Sequence, residues 1–188
     1  MKVLMAPDYR DAVPYQEQLA KALDGRGVEV AFTQGYRRGL PLWRALKSEI
    51  PSPDLLHLHW PESFFNARYP THRLFRVLRY PFDLQLAARS RPVVWTAHNL
   101  LPHNRIGEPG IANNMRLTAQ KASAVIAHSA GAKDQLISSF GLSAEKCHVI
   151  PHGDQSCAYP LPMDRVRAER IVGLANDGDK RVLMFGPI

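Results

Sequence analysis

Short apolar runs that carry few charges alternate with amphipathic stretches along nearly the whole chain. Val3–Ala6 is the first such run, and Pro14 then opens a stretch with apolar residues at helical spacing that stops near Gly25. Val28–Phe32 is the second apolar run. Buried parallel strands joined by crossover helices require this order of elements. The alternation therefore predicts an α/β fold, a Rossmann-like three-layer sandwich whose mainly parallel sheet is covered by helices on both faces.

The alternation continues through most of the remaining sequence. The predicted strands are Leu55–Trp60, Pro92–Ala97, Ala124–Ala127 and His148–Ile150. The predicted helices are Leu42–Ile50, Thr71–Arg89 with a break near Pro81, Ile111–Ala122, and Ala130–Phe140 closed by Gly141. In such sheets the ligand binds beyond the carboxyl ends of the strands. The residues that directly follow each strand therefore carry most of the functional information.

The composition changes at Tyr159. Two prolines form a linker, Asp164 can cap a further helix that runs to about Leu174, and Arg181–Phe185 has the pattern of one more strand. We therefore expect a Rossmann-like domain over residues 1–158, followed over residues 159–188 by a linker helix and the first strand of a second domain. The alternative is that the last strand completes the first sheet.

Charge and cysteine content narrow the class of protein. Lys and Arg number 24 against 17 Asp and Glu, a net charge of +7 that favours phosphates, nucleic acid or an anionic membrane as partners. No reading helix or set of stacking aromatics accompanies the charge, so nucleic acid is not expected. No apolar run approaches the roughly 20 residues of a membrane-spanning helix and no signal peptide is evident, so the expected location is cytoplasmic. Cys147 and Cys157 are expected to be reduced thiols.

Histidines and other polar residues follow the predicted strands. A neutral imidazole hydrogen-bonds sugar hydroxyls or phosphates. Because Val93–Ala97 runs directly out of the sheet, His98 and Asn99 are expected at the floor of the cleft. His57 lies inside its strand and is expected to be a buried histidine satisfied by backbone. The polar and aromatic residues that follow the strands are Asp8, His59, Trp60, Glu62, His98, Asn99, His128, Ser129 and His152, with Gly153 after the last.

Neither a metal site nor a glycine-rich phosphate loop is indicated. His57 and His59 share a strand face and His98 with His103 offers two more imidazoles, but no carboxylate or cysteine accompanies them at ligand spacing. The sequence also lacks G-x-x-x-x-G-K-[ST], and residues 6–14 contain no glycine. A bound phosphate would then be met by helix N-termini or by basic side chains such as Arg10, Arg105 and Lys133.

Ser129 admits two interpretations. The segment Ala127–Gly131 resembles the nucleophile elbow of α/β-hydrolases, with Ser129 as the nucleophile and Asp154 as a candidate acid. The alternative is that Ser129 caps the helix Ala130–Phe140. We favour the cap because a hydrolase needs a histidine after its acid, and no histidine follows His152.

The predicted helix Thr71–Arg89 combines arginines with large apolar residues. This mixture suits peripheral attachment to an anionic membrane surface, here the inner membrane face. The alternative is an ordinary helix that packs on the core and exposes a basic face. The arginines are Arg73, Arg76, Arg79 and Arg89, and the apolar residues are Leu74, Phe75, Val77, Leu78, Phe82 and Leu86.

Four segments, taken in order, resemble family 4 glycosyltransferases of the GT-B fold. They are Leu55–Pro61, Trp95–His103, Ala124–Ser129 and Val149–Gly153. In addition, Pro14–Gln16 resembles the opening of the mannosyltransferase-like branch that builds bacterial polysaccharides. The resemblance covers nearly the whole chain but only the N-terminal half of the family.

The resemblance implies an enzyme with two Rossmann-like domains that face a cleft. The N-terminal domain would bind mainly the acceptor, and the C-terminal domain the nucleotide-sugar. A sugar would move from that nucleotide-sugar, a co-substrate, to a glycan or lipid-linked sugar acceptor without an obligatory metal or other cofactor. This chain would be the acceptor half, with Arg181–Pro187 as the first strand of a donor domain that a further domain or a partner chain completes.

The resemblance also assigns roles to single residues. His98 matches the cleft histidine that approaches the reacting sugar, and a catalytic role in polarising or orienting a hydroxyl fits an imidazole there. Glu62 or Asp8 is the alternative base if the reaction inverts the anomeric centre. The expected substrate-binding residues are Asp8, Tyr15, His59, Glu62, Asn99, His103, Arg105, Ser129, His152 and Gly153.

Three functions remain open at this point. The first is the acceptor-binding half of a glycosyltransferase, which would be inactive without a donor-binding domain. The second is a small α/β-hydrolase that uses Ser129. The third is a non-catalytic module that binds sugar or phospholipid.

Overall fold

Strands and helices alternate throughout the computed structural model, which describes residues 1–33, 39–48, 51–101, 110–159 and 163–174. The strands are β1 (Lys2–Ala6), β2 (Glu29–Phe32), β3 (Leu55–Leu58), β4 (Val93–Thr96), β5 (Ala124–Ala127) and β6 (Cys147–Val149). The helices are α1 (Pro14–Asp24), α2 (Pro41–Ser48), α3 (Glu62–Phe65), α4 (Pro70–Ser90), α5 (Ile111–Lys121), α6 (Ala130–Phe140) and α7 (Arg165–Ile171). Within these described ranges no helix is both long enough and apolar enough to cross a membrane.

The six strands form one parallel sheet in the order β2-β1-β3-β4-β5-β6. The chain moves to one side of β1 for β2 and to the other side for β3 and all later strands. This reversal creates a crevice between β1 and β3 at the carboxyl end of the sheet, which is where open α/β sheets bind ligands. The predicted fold class, a Rossmann-like α/β sandwich with a parallel sheet, is confirmed.

The core lies between the sheet and the helices that cover it. All five residues of β1 are buried, as expected for a strand covered on both faces. Trp95, Tyr80 and Phe65 are the largest fully buried side chains. The ring of Tyr80 contacts that of Phe65 at a centroid distance of 4.7 Å. The Tyr80 hydroxyl forms a hydrogen bond of 2.7 Å with the hydroxyl of Thr118 on α5, so its polar end is satisfied inside the core.

A buried carboxylate joins α2 to α4. Asp83 of α4 accepts hydrogen bonds of 3.0 Å from the backbone N–H groups of Leu42 and Trp43, in the first turn of α2. These N–H groups have no partner within their own helix, so Asp83 acts as their cap from a distant part of the sequence. Burial raises the pKa of Asp83, and the two backbone hydrogen bonds oppose that effect.

The predicted break near Pro81 is wrong, because α4 runs without interruption from Pro70 to Ser90. Proline has no N–H group, so it removes the hydrogen bond that residue 81 would donate to the carbonyl of Val77. Asn114 of α5 supplies a replacement: its side-chain Nδ2 donates to that carbonyl at 3.1 Å. The helix continues through the proline because a buried side chain from a neighbouring helix satisfies the freed oxygen.

Several element boundaries differ by a few residues from the predicted ones. β3 ends at Leu58, so His59 and Trp60 lie beyond the strand rather than within it. β6 begins and ends one residue earlier than predicted, and the short helix α3 was not predicted at all. The end of α6 is as predicted, because Gly141 adopts φ 67°, a left-handed conformation that suits glycine after a helix.

The contacts divide the chain into two compact units, Met1–Asp154 and Gln155–Ile188. In the second unit Asp164 caps α7 as predicted, since its side chain accepts a hydrogen bond of 2.9 Å from the N–H of Arg167. The helix ends at Ile171, before the predicted Leu174. The predicted linker prolines and the predicted strand 181–185 lie outside the described residues.

Candidate functional site

A histidine follows each of four neighbouring strands at the carboxyl edge of the sheet. His59 comes directly after β3 and His128 directly after β5. His98 lies two residues beyond β4, and His152 three residues beyond β6. Because β3, β4, β5 and β6 are adjacent and parallel, all four chain exits meet at one edge. We call His59, His98, His128 and His152 the histidine cluster.

Tyr15, in the first turn of α1, contacts the ring of every member of the histidine cluster. Its ring centroid lies 4.8 Å from that of His152 and 5.0 Å from that of His98. The distances to His59 and His128 are 5.6 Å and 5.9 Å. The order β1–α1 brings this helix start to the same edge, since α1 must begin where β1 ends. Tyr15 is therefore the shared packing partner of the four imidazoles.

Trp60 fixes the orientation of His98. The two rings are stacked, with a centroid distance of 4.3 Å and an interplanar angle of 12°. Trp60 thus covers a face of the His98 ring. At the edge of that ring, His98 Nε2 lies 3.3 Å from His59 Nδ1. A ring held by a stack and by a hydrogen bond has little rotational freedom, which is the condition for orienting a ligand group.

Backbone carbonyls select the tautomers of two cluster histidines. His128 donates from Nδ1 to the carbonyl oxygen of Ile150 at 3.0 Å, and His152 donates from Nδ1 to that of Gly153 at 3.2 Å. With Nδ1 engaged as a donor, Nε2 is the ring nitrogen left to face a ligand. Among the described residues, His59 Nε2 and His128 Nε2 are buried and have no hydrogen-bond partner.

Two members of the cluster, His59 and His98, are uncharged at neutral pH because they are largely buried. Burial, together with the smaller effect of the neighbouring histidines, lowers the pKa of His98 to about 3. The pKa of His59, which is completely buried, is lowered for the same two reasons. Neutral imidazoles both donate and accept hydrogen bonds, so these two rings suit hydroxyl ligands better than anions.

His57 and Thr96 lie beneath the cluster. His57 Nε2 is 2.8 Å from the hydroxyl of Thr96, and both residues are buried. Burial raises the pKa of Tyr15, and the Thr96 side chain opposes that effect. His57 is therefore a satisfied buried histidine, as expected, although its partner is a side chain rather than backbone.

The loop between β1 and α1 is ordered by Gln16, which is fully buried. Gln16 accepts a hydrogen bond from the N–H of Tyr9 and donates one to the carbonyl of Pro7, both at 2.8 Å. In the same loop Arg10 binds the carboxylate of Asp8 through two nitrogens at 2.9 Å. The hydrogen bonds from Arg10 lower the pKa of Asp8.

The sequence from residue 3 to residue 153 matches the family model described as Glycosyltransferase Family 4. The match spans far more than half of the chain and includes every described residue of the site. This chain belongs to Glycosyltransferase Family 4. No curated protein matches the sequence.

Solved structures share the fold of this chain. Anabaena Alr3699/HepE in complex with UDP-glucose is similar with a TM-score of 0.50 and 20% identity, over 94% of this chain and 50% of that one. UDP-GlcNAc 2-epimerase from Methanocaldococcus jannaschii is similar with a TM-score of 0.51 and 14% identity, over 80% of this chain and 45% of that one. The chain thus spans about half the length of these structures.

The structure of this family 4 chain brings several of the predicted site residues together. Tyr15, His59, His98 and His152 form one contact network. Gly153 adjoins it through the carbonyl that accepts from His152. Asn99 follows His98 directly and is half-buried. The roles of these residues in binding and catalysis remain predictions.

Other predicted site residues are placed differently or lie outside the described ranges. Ser129 caps α6, since its hydroxyl accepts a hydrogen bond of 3.1 Å from the N–H of Ala132, as the favoured interpretation has it. Glu62 opens α3 and has a pKa raised by burial, and within the described residues no hydrogen bond or ion pair joins it to the histidine cluster. His103 and Arg105 lie outside the described residues.

The structure brings to the site three residues that were not predicted as binding residues. They are His128 and Trp60, which follow strands, and Gln16, which follows Tyr15 in the motif Pro14–Gln16. Strand-end position alone would have identified His128, because it has the same relation to β5 that His59 has to β3. No local pattern indicates that Trp60 stacks on His98 or that Gln16 holds the loop of β1, because both contacts join distant segments.

His98, His128 and His152 each place one ring nitrogen within 4.8 Å of the other two. Nitrogens that bind one tetrahedral zinc ion lie about 3.3 Å apart, as follows from bond lengths near 2.0 Å. The trio offers imidazole donors without a carboxylate or a thiolate. Small side-chain movements would be needed for all three rings to bind one transition-metal ion.

Proposed function

We propose that the first unit of this chain is the acceptor-binding half of a glycosyltransferase. It would bind a glycan or a lipid-linked sugar and hold one of its hydroxyls for transfer of a sugar from a nucleotide-sugar. The donor would be bound by a further domain or a partner chain. Membership of the mannosyltransferase-like branch and a role in polysaccharide biosynthesis at the inner membrane face belong to the same proposal. No resident metal or other cofactor is required.

The observation that carries the proposal is the histidine cluster around Tyr15. It lies at the carboxyl edge of a parallel sheet, and His59 Nε2 and His128 Nε2 are buried without partners among the described residues. Buried polar atoms are nearly always hydrogen-bonded, so these two nitrogens are suited to a ligand that brings polar groups. Neutral rings beside aromatic surfaces match a sugar, which presents hydroxyls at its edge and C–H groups on its faces.

His98 is the best candidate for contact with the reacting hydroxyl. In the transfer, the acceptor oxygen forms a new bond to the anomeric carbon of the donor sugar, and the bond from that carbon to the phosphate oxygen of the nucleotide breaks. The acceptor hydroxyl must lose its proton during this exchange. A neutral imidazole that accepts a hydrogen bond from the hydroxyl aligns its lone pair and makes the oxygen more nucleophilic. The Trp60 stack keeps that imidazole in place.

Two carboxylates are alternative proton acceptors for an inverting reaction. Asp8 is bound through both carboxylate oxygens to Arg10, so a proton could bind there only in competition with the guanidinium. Glu62 has a pKa raised by burial, which brings it closer to the range of a general base. Of the two, Glu62 is the stronger candidate, provided that the bound acceptor reaches α3.

A titration calorimetry experiment on the 188-residue chain tests the proposal. The probes are octyl glucoside and octyl mannoside, each below its micelle-forming concentration, and the nucleotide-sugars UDP-glucose and GDP-mannose. We expect at least one octyl glycoside to bind more tightly than either nucleotide-sugar. His98→Ala should weaken that binding about tenfold, as the loss of one hydrogen bond in a dry site implies. The binding should be the same in EDTA, since no metal is invoked.

His148→Ala is the matched control, because His148 is an exposed histidine within β6 rather than beyond a strand end. It should leave the affinity unchanged. Tight binding of a nucleotide-sugar by this chain, or a glycoside affinity that His98→Ala does not alter, would contradict the proposal. Binding that depends on His98 but disappears in EDTA would instead show that the three clustered imidazoles hold a metal.

A further inference from the structure

Four large apolar side chains are exposed on one side of α4. Leu74, Phe75, Leu78 and Phe82 are each more than three-fifths exposed, at 61%, 62%, 69% and 62%. At 100° per residue they fall within about 100° of the helix circumference, so they form one continuous stripe. Single exposed apolar residues are normal on a protein surface, but a contiguous group usually marks an interaction site.

The opposite side of α4 is fixed in the protein core. Tyr80, Asp83, Leu84 and Ala87 are buried there, and Asp83 and Tyr80 hydrogen-bond α2 and α5. The helix cannot rotate to bury the apolar stripe without breaking these contacts. The stripe is therefore a fixed feature of the folded unit.

The surroundings of the stripe are strongly basic. Residues 63–82 contain four arginines and no aspartate or glutamate. The Arg79 guanidinium lies 5.9 Å from the centre of the Phe75 ring, and that of Arg68 lies 5.9 Å from the exposed Tyr69 ring. Arg76 and Arg79 are anchored through donation to the carbonyls of Asn66 and Phe64, so the positive charge is held beside the stripe.

The chain topology places the stripe at the cleft end of the sheet. β3 and β4 are parallel neighbours, so α4 must return from the carboxyl end of β3 to the start of β4. The N-terminal half of α4, residues 70–82, therefore lies toward the edge where the histidine cluster is found. A surface that the stripe contacts would be close to the mouth of the cleft.

We propose that Leu74, Phe75, Leu78 and Phe82, with the flanking arginines, form a docking surface for an anionic lipid bilayer. The helix would lie in the plane of the interface, with the apolar stripe among the acyl chains and the arginines at the phosphate groups. Charge decides between this occupant and a second copy of the chain. A symmetric dimer through α4 would bring two sets of arginines together without an acidic residue in the 63–82 segment to offset them. The proposal names the surface for the inner-membrane role proposed above, and it does not depend on the transfer of a sugar.

Vesicle flotation with the 188-residue chain tests the docking surface. The vesicles are phosphatidylcholine alone, and phosphatidylcholine with about one-third phosphatidylglycerol. We expect binding to the anionic vesicles that high salt weakens, and little binding to the neutral ones. Leu78→Gln and Phe82→Gln should each reduce binding to the anionic vesicles by about tenfold or more, because each removes one apolar side chain that would be buried in the bilayer.

The matched controls are Ile171→Gln and Val172→Gln, whose native side chains are 64% and 66% exposed in the second unit. They should leave vesicle binding unchanged. Since every substituted side chain is exposed, circular dichroism melting should confirm that all variants fold. In the unmodified chain, hydrogen exchange of residues 70–82 should slow when anionic vesicles are added.

Two results would overturn the proposal. One is an absence of binding to anionic vesicles by the unmodified chain. The other is a dimer in analytical ultracentrifugation that Leu78→Gln dissociates, which would assign the surface to a second copy. Neither result bears on glycoside binding in the cleft, so failure of the docking surface and failure of the proposed function are distinguishable.

Discussion

Two neighbouring histidines, His57 and His59, differ in role although their rings are close together. The ring of His57 lies 4.3 Å from that of His59, yet His57 is bonded to Thr96 beneath the cluster while His59 faces His98. The difference arises from the end of β3 at Leu58, which leaves His57 inside the strand and His59 beyond it. Residue type alone does not separate a structural histidine from a candidate ligand-binding one, but position relative to the strand end does.

The buried His57 makes stability depend on pH. Burial lowers its pKa to about 4 from 6.5, so the unfolded chain binds a proton more readily than the folded one. Its contribution to stability is present above pH 6.5 and is lost as the pH falls toward 4. Between pH 8 and pH 5 the loss should be about 2 kcal/mol in the free energy of unfolding, measured by urea denaturation.

His57→Gln should remove this share of the pH dependence, although it also lowers stability at every pH by disturbing the bond to Thr96. His148→Gln, at an exposed position, should leave the pH dependence as it is. An unchanged slope in His57→Gln between pH 8 and pH 5 would mean that the buried imidazole is not responsible.

Helices are joined by side chains that form hydrogen bonds with the unpaired backbone N–H or C=O groups of a neighbouring helix. Asp83 of α4 does this for the start of α2, and Asn114 of α5 does it for α4 at Pro81. Such contacts explain why the predicted break near Pro81 is wrong. Proline is a reliable signal for a broken helix when only local sequence is considered. The compensating donor lies 37 residues away from the carbonyl that it serves, and no local pattern contains it.

A double-mutant cycle tests this explanation of the continuous helix. Asn114→Ala should lower the free energy of unfolding by about 1 kcal/mol, because it leaves the carbonyl of Val77 without a partner at a partly buried place. In a Pro81→Ala background the new N–H can donate to that carbonyl. There the same substitution should cost clearly less, as chemical denaturation of the four proteins would show. Equal costs in both backgrounds would mean that Asn114 does not compensate for the proline.

At the scale of the whole molecule, the order of elements was the most predictable feature. Buried strands covered on both faces give an apolar pattern that survives without tertiary information, and the sheet and its end histidines followed from that pattern. The interior of the site was less predictable. Tyr15 at the centre of four imidazoles, and Trp60 stacked on His98, are contacts between segments that only the folded sheet brings together. His103 and Arg105 stay predictions, as does the donor-binding partner.

The central claim is that neutral imidazoles at the carboxyl edge of the sheet receive a sugar. Long-range nitrogen–proton NMR spectra of the histidine rings, recorded with and without octyl glycoside, test it directly. The spectra should show His98 and His59 uncharged well below pH 6.5, since burial lowers the pKa of both. The ring signals of His98 and His128 should shift as the glycoside binds, and that of His148 should not. Imidazolium signals from His98 at neutral pH, or a bound glycoside that leaves the cluster signals unmoved, would contradict the claim.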